Sequence, residues 1–242
     1  MQKTYILLAI LLGCLLHSQI KMKINLIGLE KTSNGPSYKI QVNLKNTTDD
    51  FFAIPVVLTK LKGYFEGDRC VDNLNFTEIK NLDVTVVLKS SGNIMEAYIS
   101  PFPQYSMEDL LAMQKENKIA NSIKQNNLRR WMCEHNISDI KFAEMNKTLS
   151  ENIVLLNPKE EISWSIFFRP SSLDCLDCDL YFFYMLKEDS DLDFALLHCV
   201  DDSIYTYLTE DQKSKLSGYK LYSGELLSNE IKIHYNSMTV PD

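Results

Sequence analysis

Strict alternation of apolar and polar residues is the feature that most restricts the fold of this chain. Between residues 38 and 45, apolar side chains at even positions alternate with Lys, Gln and Asn at odd positions. The same period of two returns at residues 84–88 and 162–168. Because a period of two places all apolar side chains on one face of an extended chain, these segments are predicted to be half-buried antiparallel strands.

Further short apolar segments complete the prediction of a β protein. They lie at residues 22–26, 54–58, 94–99, 153–156 and 180–186. The strands follow one another along the chain and do not alternate regularly with helices, which disfavours a parallel doubly wound sheet. The sequence therefore predicts a mainly β fold, an antiparallel β-sandwich formed as a single domain over residues 19–242.

An α-helical insertion is predicted at about residues 104–148, where the period of two is lost. Ser106-Met107-Glu108-Asp109 has the form of a capping box, and a helical stripe follows it as far as Asn126-Asn127. A second short helix is expected to hold Leu128, Trp131 and Met132. The insertion is polar and has too few apolar residues for a core of its own.

Short helices and a hairpin are predicted near the C-terminus. Residues 190–200 form a helix in this interpretation, with Phe194, Leu197 and Val200 facing inward. Thr209-Glu210-Asp211-Gln212 is a second capping box, whose helix Gly218 would close. Residues 219–227 and 231–235 are expected to pair as a closing hairpin.

Residues 1–18 have the pattern of a secretory signal peptide: a lysine, a short apolar run and a small residue, Ser18, at the cleavage position. The apolar run is too short to span a bilayer, and no later segment is predicted to be transmembrane. The sequence therefore predicts a secreted or periplasmic protein. An alternative is an outer-membrane lipoprotein, since Leu11-Leu12-Gly13-Cys14 resembles a lipobox with Cys14 as the lipidated residue.

The charge of the chain excludes one class of partner. Lysines and arginines number 25 against 32 acidic residues, which gives a formal net charge of −7. Nucleic-acid binding requires a dense cationic surface that displaces phosphate counterions, so no nucleic-acid partner is expected.

Five cysteines would remain after removal of the signal peptide, and in an exported protein they are disulfide candidates. They are Cys70, Cys133, Cys175, Cys178 and Cys199. A competing hypothesis is a zinc site in which Cys175 and Cys178 are joined by His198 or Cys199, because paired cysteines with two further ligands suit tetrahedral zinc. Apart from this zinc, or a calcium ion held more loosely by Asp189, Asp191 and Asp193, no cofactor is expected.

Other candidate sites are weaker. Asp189, Asp191 and Asp193 alternate as the carboxylates of a calcium loop do, but the turn glycine and the bidentate Glu of an EF-hand are missing. His135 and His234 belong to no catalytic motif. Trp131, in the polar insertion, is the candidate residue for contact with a partner protein or glycan.

Two segments carry a family resemblance. Val42-Asn43-Leu44-Lys45-Asn46-Thr47 running into Ile54-Pro55-Val56, together with Leu155-Leu156-Asn157-Pro158-Lys159-Glu160-Glu161, resembles immunoglobulin-like modules of exported bacterial proteins. The likeness covers a third of the chain and departs from the pattern at Lys159, where a glycine commonly stands. It implies an immunoglobulin-like sandwich used for binding or scaffolding.

These observations lead to three functional hypotheses. The first is an exported, non-catalytic binding or scaffold module. The second is a metal-dependent hydrolase that uses the group of Cys175, Cys178, His198 and Cys199. The third is an inhibitor or chaperone-like protein that binds its partner through an exposed strand edge.

Overall fold

The computed structural model describes residues 19–32, 35–65, 82–101, 107–170, 173–174 and 180–236. The fold is mainly β, as predicted from the alternation. The strands are β1 Ile20–Thr32, β2 Gly35–Asn46, β3 Phe52–Pro55, β4 Val57–Gly63, β5 Asp83–Ser90, β6 Asn93–Met95, β7 Tyr98–Pro101, β8 Ile153–Leu156, β9 Glu161–Phe168, β10 Leu173–Asp174, β11 Leu180–Phe183, β12 Ser190–Val200, β13 Lys220–Leu221, β14 Gly224–Leu227 and β15 Ile231–Tyr235. The helices are α1 Met107–Glu134, α2 Ile140–Glu151 and α3 Glu210–Lys215, with a 3₁₀ helix at Asp202–Tyr207.

The first sheet has the strand order β1-β2-β9 and is antiparallel throughout. Its central strand, β2, buries the even-numbered apolar residues that the sequence pattern assigns to one face. The first half of β1 alternates in the same way, and a register shift between Leu26 and Gly28 marks a bulge.

The second large sheet is built around β12, which has neighbours on both edges. One edge pairs with β5, and the other pairs with β14 and then with β15. The far edge of β5 pairs with β4 and with β6. The pair β4–β5 is parallel, unlike the predominantly antiparallel pairing expected.

Two small sheets complete the strand pairing. The first has the order β13-β3-β8, in which β13 is parallel to β3 and β8 is antiparallel to it. The second has the order β10-β11-β7 and is antiparallel. The predicted strand at 54–58 is thus divided between β3 and β4, which lie in different sheets.

One hydrophobic core joins the sheets. The rings of Phe168 in β9 and Phe194 in β12 have centroids 4.9 Å apart, so the two large sheets pack directly on each other. The Tyr38 hydroxyl donates to the carbonyl oxygen of His234 at 2.6 Å, which ties β2 to β15. Burial of this apolar surface is the main stabilising term of the fold.

The helices between β7 and β8 differ in detail from the prediction. Leu128, Trp131 and Met132 belong to the same continuous helix α1 and not to a second helix. The second helix is α2, which begins after Asp139, whose side chain accepts from the amide of Phe142. The Ser106 capping box lies outside the described residues. In the described part of the chain, no helix combines the length and apolarity that a membrane crossing requires.

The prediction of a helix at residues 190–200 is wrong, because this segment is the strand β12. Leu192, Phe194 and Leu196 are buried at a period of two. Ala195 and Leu197 are buried on the opposite face, so the segment is apolar on both sides. A strand buried on both faces has no alternating pattern, which is why a helical spacing could be selected from it.

The predicted closing hairpin is also wrong. β14 and β15 do not pair with each other; they succeed one another along the same edge of β12. Between them, Ser228 replaces regular pairing, since its amide donates to the Leu196 carbonyl and its hydroxyl accepts from the Leu196 amide. The Thr209 capping box is confirmed at the start of α3, where Gln212 provides the reciprocal contact.

Candidate functional site

An open groove of about 480 Å³ lies where the chain passes from β6 to β7. These strands belong to different sheets, and the two residues between them cross from one sheet to the other. The groove is lined by Phe65, Met95, Glu96, Ala97, Tyr98 and Met185. In the described part of the chain, this lining combines apolar and aromatic surface with one charged side chain, a composition typical of small-molecule sites.

The floor of the groove depends on a close approach between Gly63 and Ala97. A Cβ atom added at Gly63 would come closer to the Ala97 Cβ than real Cβ atoms approach each other. The adjacent backbones are joined by a hydrogen bond from the Ala97 amide to the Tyr64 carbonyl at 2.8 Å. Glycine at position 63 therefore allows the end of β4 to pack against the crossing segment.

The Tyr184 side chain holds the backbone at this floor in place. Its side chain is buried, and its hydroxyl donates to the Val86 carbonyl at 2.7 Å and accepts from the Tyr64 amide at 2.9 Å. One hydroxyl thus joins β5 to the residue that follows β4. Because both hydrogen bonds hold backbone atoms, the backbone at the groove is preorganised for a ligand.

Replacing Tyr184 by Phe should lower the free energy of unfolding by about 1–2 kcal/mol, because the Tyr64 amide and the Val86 carbonyl lose a partner within the protein. Urea unfolding would measure this loss. The variant Tyr219→Phe is the control, since Tyr219 is a partly buried tyrosine outside the groove lining. Equal stability of wild type and Tyr184→Phe would contradict the assigned role of the hydroxyl.

Aromatic pairs form the sides of the groove. The Phe65 ring meets the Phe182 ring edge-on with centroids 5.5 Å apart, and Tyr98 stacks on Phe183 at 5.7 Å. Even so, Tyr98 stays 50% exposed and Met185 stays 60% exposed. Apolar and aromatic surface is therefore left in contact with solvent at a site whose backbone is held in place.

Glu96 is the charged residue of the lining, and it is exposed. Among the described residues, its carboxylate has no hydrogen-bond or ion-pair partner. Most other acids near the sheet surface do have one: Asp193, for example, accepts from Lys232 at 2.8 Å. An unpaired carboxylate beside apolar surface gives the groove a negative charge.

His198, a predicted zinc ligand, is a core residue of β12. Its side chain is 1% exposed, and its Nε2 lies 2.7 Å from the Pro55 carbonyl oxygen. Burial lowers the pKa of His198 to about 4, although nearby carbonyl groups, that of Pro55 first, oppose the shift. The imidazole is therefore neutral at pH 7 and bridges β12 to the end of β3.

Of the cysteines named above as disulfide, zinc or lipidation candidates, the structure describes two. Cys199 is disulfide-bonded, and its partner lies outside the described residues. Cys133 is free and exposed. Cys14, Cys70, Cys175 and Cys178 lie outside the described residues. Within the described ranges, no group of three or more His, Cys, Asp or Glu side chains could hold a metal ion.

The acids of the calcium hypothesis face cations of β15. His234 lies between two of them, with Nδ1 2.9 Å from Asp191 and Nε2 3.3 Å from Asp189. The hydrogen bond that His234 donates to Asp191, followed by the charges of both acids, raises the pKa of His234 above its usual value. Asp193 pairs with Lys232. This set is therefore a cross-strand arrangement of charges, and His234 is an exposed strand residue as its alternation predicts.

Trp131 is half-buried, and its indole contributes to the packing of the helices. Its Nε1 donates to Oδ1 of the buried Asn146 at 2.8 Å, and its ring lies 4.0 Å from that of His135. Asn146 in turn donates to the Tyr207 carbonyl at 2.6 Å. These contacts join α1 to α2 and to the 3₁₀ helix. A role of Trp131 in binding remains a prediction.

Nothing in the sequence pattern indicated the groove. Its lining comes from three separate stretches of the chain, and residues 94–99, interpreted as one strand, are divided between two sheets. Comparisons with models of protein families, with curated proteins and with solved structures found no match. The function is therefore argued from the groove itself.

Proposed function

We propose that this chain is an exported, non-catalytic binding module whose ligand occupies the groove between β6 and β7. The observation that carries the proposal is exposed aromatic and thioether surface on a floor fixed by the two hydrogen bonds of the buried Tyr184 side chain. Solvent contact with such surface is unfavourable, and a ligand that covers it is stabilised by the same term that stabilises a core.

The lining suits binding more than catalysis. Methionine side chains adapt to ligands of different shape, and the aromatic rings offer rigid contact area. Among the lining residues that the structure describes, Glu96 is the carboxylate and Tyr98 the phenol, and no histidine, lysine, cysteine or serine accompanies them. The arrangement therefore favours recognition of a ligand without its chemical conversion.

Two further parts of the proposal rest on other features. Export is supported by the signal-peptide pattern of residues 1–18, and a disulfide at Cys199 is compatible with an oxidising compartment. An immunoglobulin-like sandwich is supported by two sheets packed across one core. The parallel pair β4–β5 is a departure from the antiparallel pattern of that fold.

The test uses protein labelled with ¹³C at the methionine methyl groups and a panel of small aromatic fragments of positive, zero and negative charge. Met95 and Met185 are groove residues, whereas Met145 lies on α2 and serves as the internal reference. We expect the methyl chemical shifts of Met95 and Met185 to change with fragment concentration until they saturate, while that of Met145 stays constant. Replacing Met95 or Met185 by Leu assigns the signals.

Two variants test whether an aromatic side chain of the groove contributes to the affinity for fragments. Tyr98→Ala should weaken fragment binding about tenfold, because an aromatic contact in a central position of a site is worth 1 kcal/mol or more. Phe51→Ala is the matched control, since Phe51 is an exposed aromatic residue outside the groove lining. If no fragment shifts Met95 and Met185 more than Met145, the groove is not a binding site.

A further inference from the structure

We infer that the ligand of the groove is an organic cation, an ammonium group carried on an apolar or aromatic body. This inference rests on the proposed function and adds the chemical class of the ligand. It is based on the placement of the Glu96 carboxylate in the same lining as the rings of Phe65 and Tyr98 and the thioethers of Met95 and Met185.

The first argument is charge. Glu96 is exposed, and no hydrogen-bond or ion-pair partner among the described residues neutralises it. No residue that the structure describes in the lining carries a positive charge. A cation close to this carboxylate would be attracted to it, and more strongly at a protein surface than in bulk water, because the effective dielectric constant is lower there. An anion at the same place would be repelled to a similar extent.

The second argument is the surface around the carboxylate. Aromatic rings attract cations through the negative charge of their faces, and the attraction grows when water is excluded. Methionine sulfur is polarisable and packs well against alkyl and aromatic groups. A carboxylate surrounded by these groups offers both the charge that holds an ammonium ion and the apolar contact that holds its body.

The third argument is the backbone that holds these groups together. Ala97, next to Glu96, is hydrogen-bonded to Tyr64 at 2.8 Å, and Tyr64 is itself held by the Tyr184 hydroxyl. Tyr98, on the other side of Ala97, is held by its stacking on Phe183. The carboxylate and an aromatic ring are thus presented from one anchored stretch, so little order must be imposed when a ligand binds.

The experiment compares two probes of the same shape, benzyltrimethylammonium and its uncharged carbon isostere, neopentylbenzene. The methyl signals of Met95 and Met185 report the binding of each. We expect the cation to bind at least about fivefold more tightly than the isostere, as one close charge contact and one cation–π contact together imply. The anion 4-phenylbutanoate should bind more weakly than either.

Glu96→Gln keeps the size of the side chain and removes its charge. In this variant we expect the preference for the cation to fall below about twofold, while the affinity for neopentylbenzene stays as in the wild type. Glu225→Gln is the matched control, because Glu225 is an exposed acid of β14 outside the groove lining. It should leave both affinities unchanged.

The possible outcomes distinguish failure of this inference about the ligand class from failure of the proposed function. Equal binding of the cation and the isostere would overturn the inference and leave the groove as a binding site. An equal loss of both probes in Glu96→Gln would also overturn it, since Glu96 would then act only on the shape of the groove. If neither probe and no other fragment shifts Met95 and Met185, the proposed function itself fails.

Discussion

Acidification from pH 7 to pH 4 is expected to remove about 3 kcal/mol from the free energy of unfolding through His198 alone. Burial lowers the pKa of this imidazole from 6.5 to about 4 in the folded protein. The unfolded chain therefore binds the proton more readily than the folded one between these values. The stabilising contribution of the neutral ring is complete above pH 6.5 and is lost as the pH falls towards 4.

Urea unfolding at pH 7 and at pH 4, for wild type and His198→Gln, measures this effect. Glutamine retains an amide that can donate to the Pro55 carbonyl but does not titrate. Protonation of carboxylates affects both proteins alike, so the difference between their pH dependences isolates His198. We expect the variant to lose about 3 kcal/mol less than the wild type over this range.

His234→Gln is the control for this experiment. The pKa of His234 is raised by Asp191, so protonation of this residue stabilises the folded state and its removal cannot reduce the acid sensitivity of the protein. If His198→Gln and the wild type show the same loss of stability between pH 7 and pH 4, the buried neutral histidine is not the source of the effect.

Gly63→Ala is expected to lower the free energy of unfolding by about 2–3 kcal/mol, the upper range for a group forced into a packed interior. The new methyl group would collide with the Ala97 side chain, and the Phe182 Cβ lies 3.5 Å away on another side. Relief requires β4 and the crossing segment to separate. We therefore expect weaker fragment binding at Met95 and Met185 together with the lower stability.

Gly28→Ala is the matched control, because Gly28 also lies in a strand and its added Cβ would meet Lys39 at an ordinary 3.6 Å. It should change stability by less than about 1 kcal/mol. Urea unfolding of both variants, with the methionine spectra of both, provides the comparison. Unchanged stability and unchanged fragment binding in Gly63→Ala would show that the close approach to Ala97 does not shape the groove.

The structure also bears on the choice among the three hypotheses. A catalytic zinc needs an open coordination position, whereas the described candidate ligand His198 is buried and engaged with Pro55. For a strand-edge interaction, the edge of β1 that no described strand pairs with carries Lys21 and Lys23 in its first half. The Asn229 side chain bonds the backbone of Ile24 on this edge, and a bulge follows Leu26, features that discourage pairing with another strand. We therefore prefer the binding module proposed above to the other two hypotheses.

Sequence pattern predicted those parts of the fold where each strand is buried on one face. The alternation at residues 38–45 identifies β2, and that at 162–168 identifies β9, because a half-buried strand displays its orientation in every second residue. The capping box at Thr209 identifies the start of α3 by the same local logic. In these cases the contacts that decide the structure involve residues close in sequence or on one face of one strand.

The sequence pattern did not predict the structure correctly where burial or strand pairing depended on segments distant in the sequence. β12 is covered on both faces and therefore shows no alternation, so its role as the central strand of the large sheet follows only from its neighbours β5, β14 and β15. The same is true of His198, whose neutral state is decided by burial beneath other elements of the fold.

The sequence by itself determined that this chain is a mainly β protein of acidic net charge. Alternation and charge can both be assigned from the sequence without knowing which segments pair. Only the tertiary structure decided where a ligand could bind. The groove exists because the chain leaves one sheet at Met95 and enters another at Tyr98, while Gly63 and Met185 approach from elsewhere. Side chains brought together by strand pairing leave no signal in their spacing along the chain.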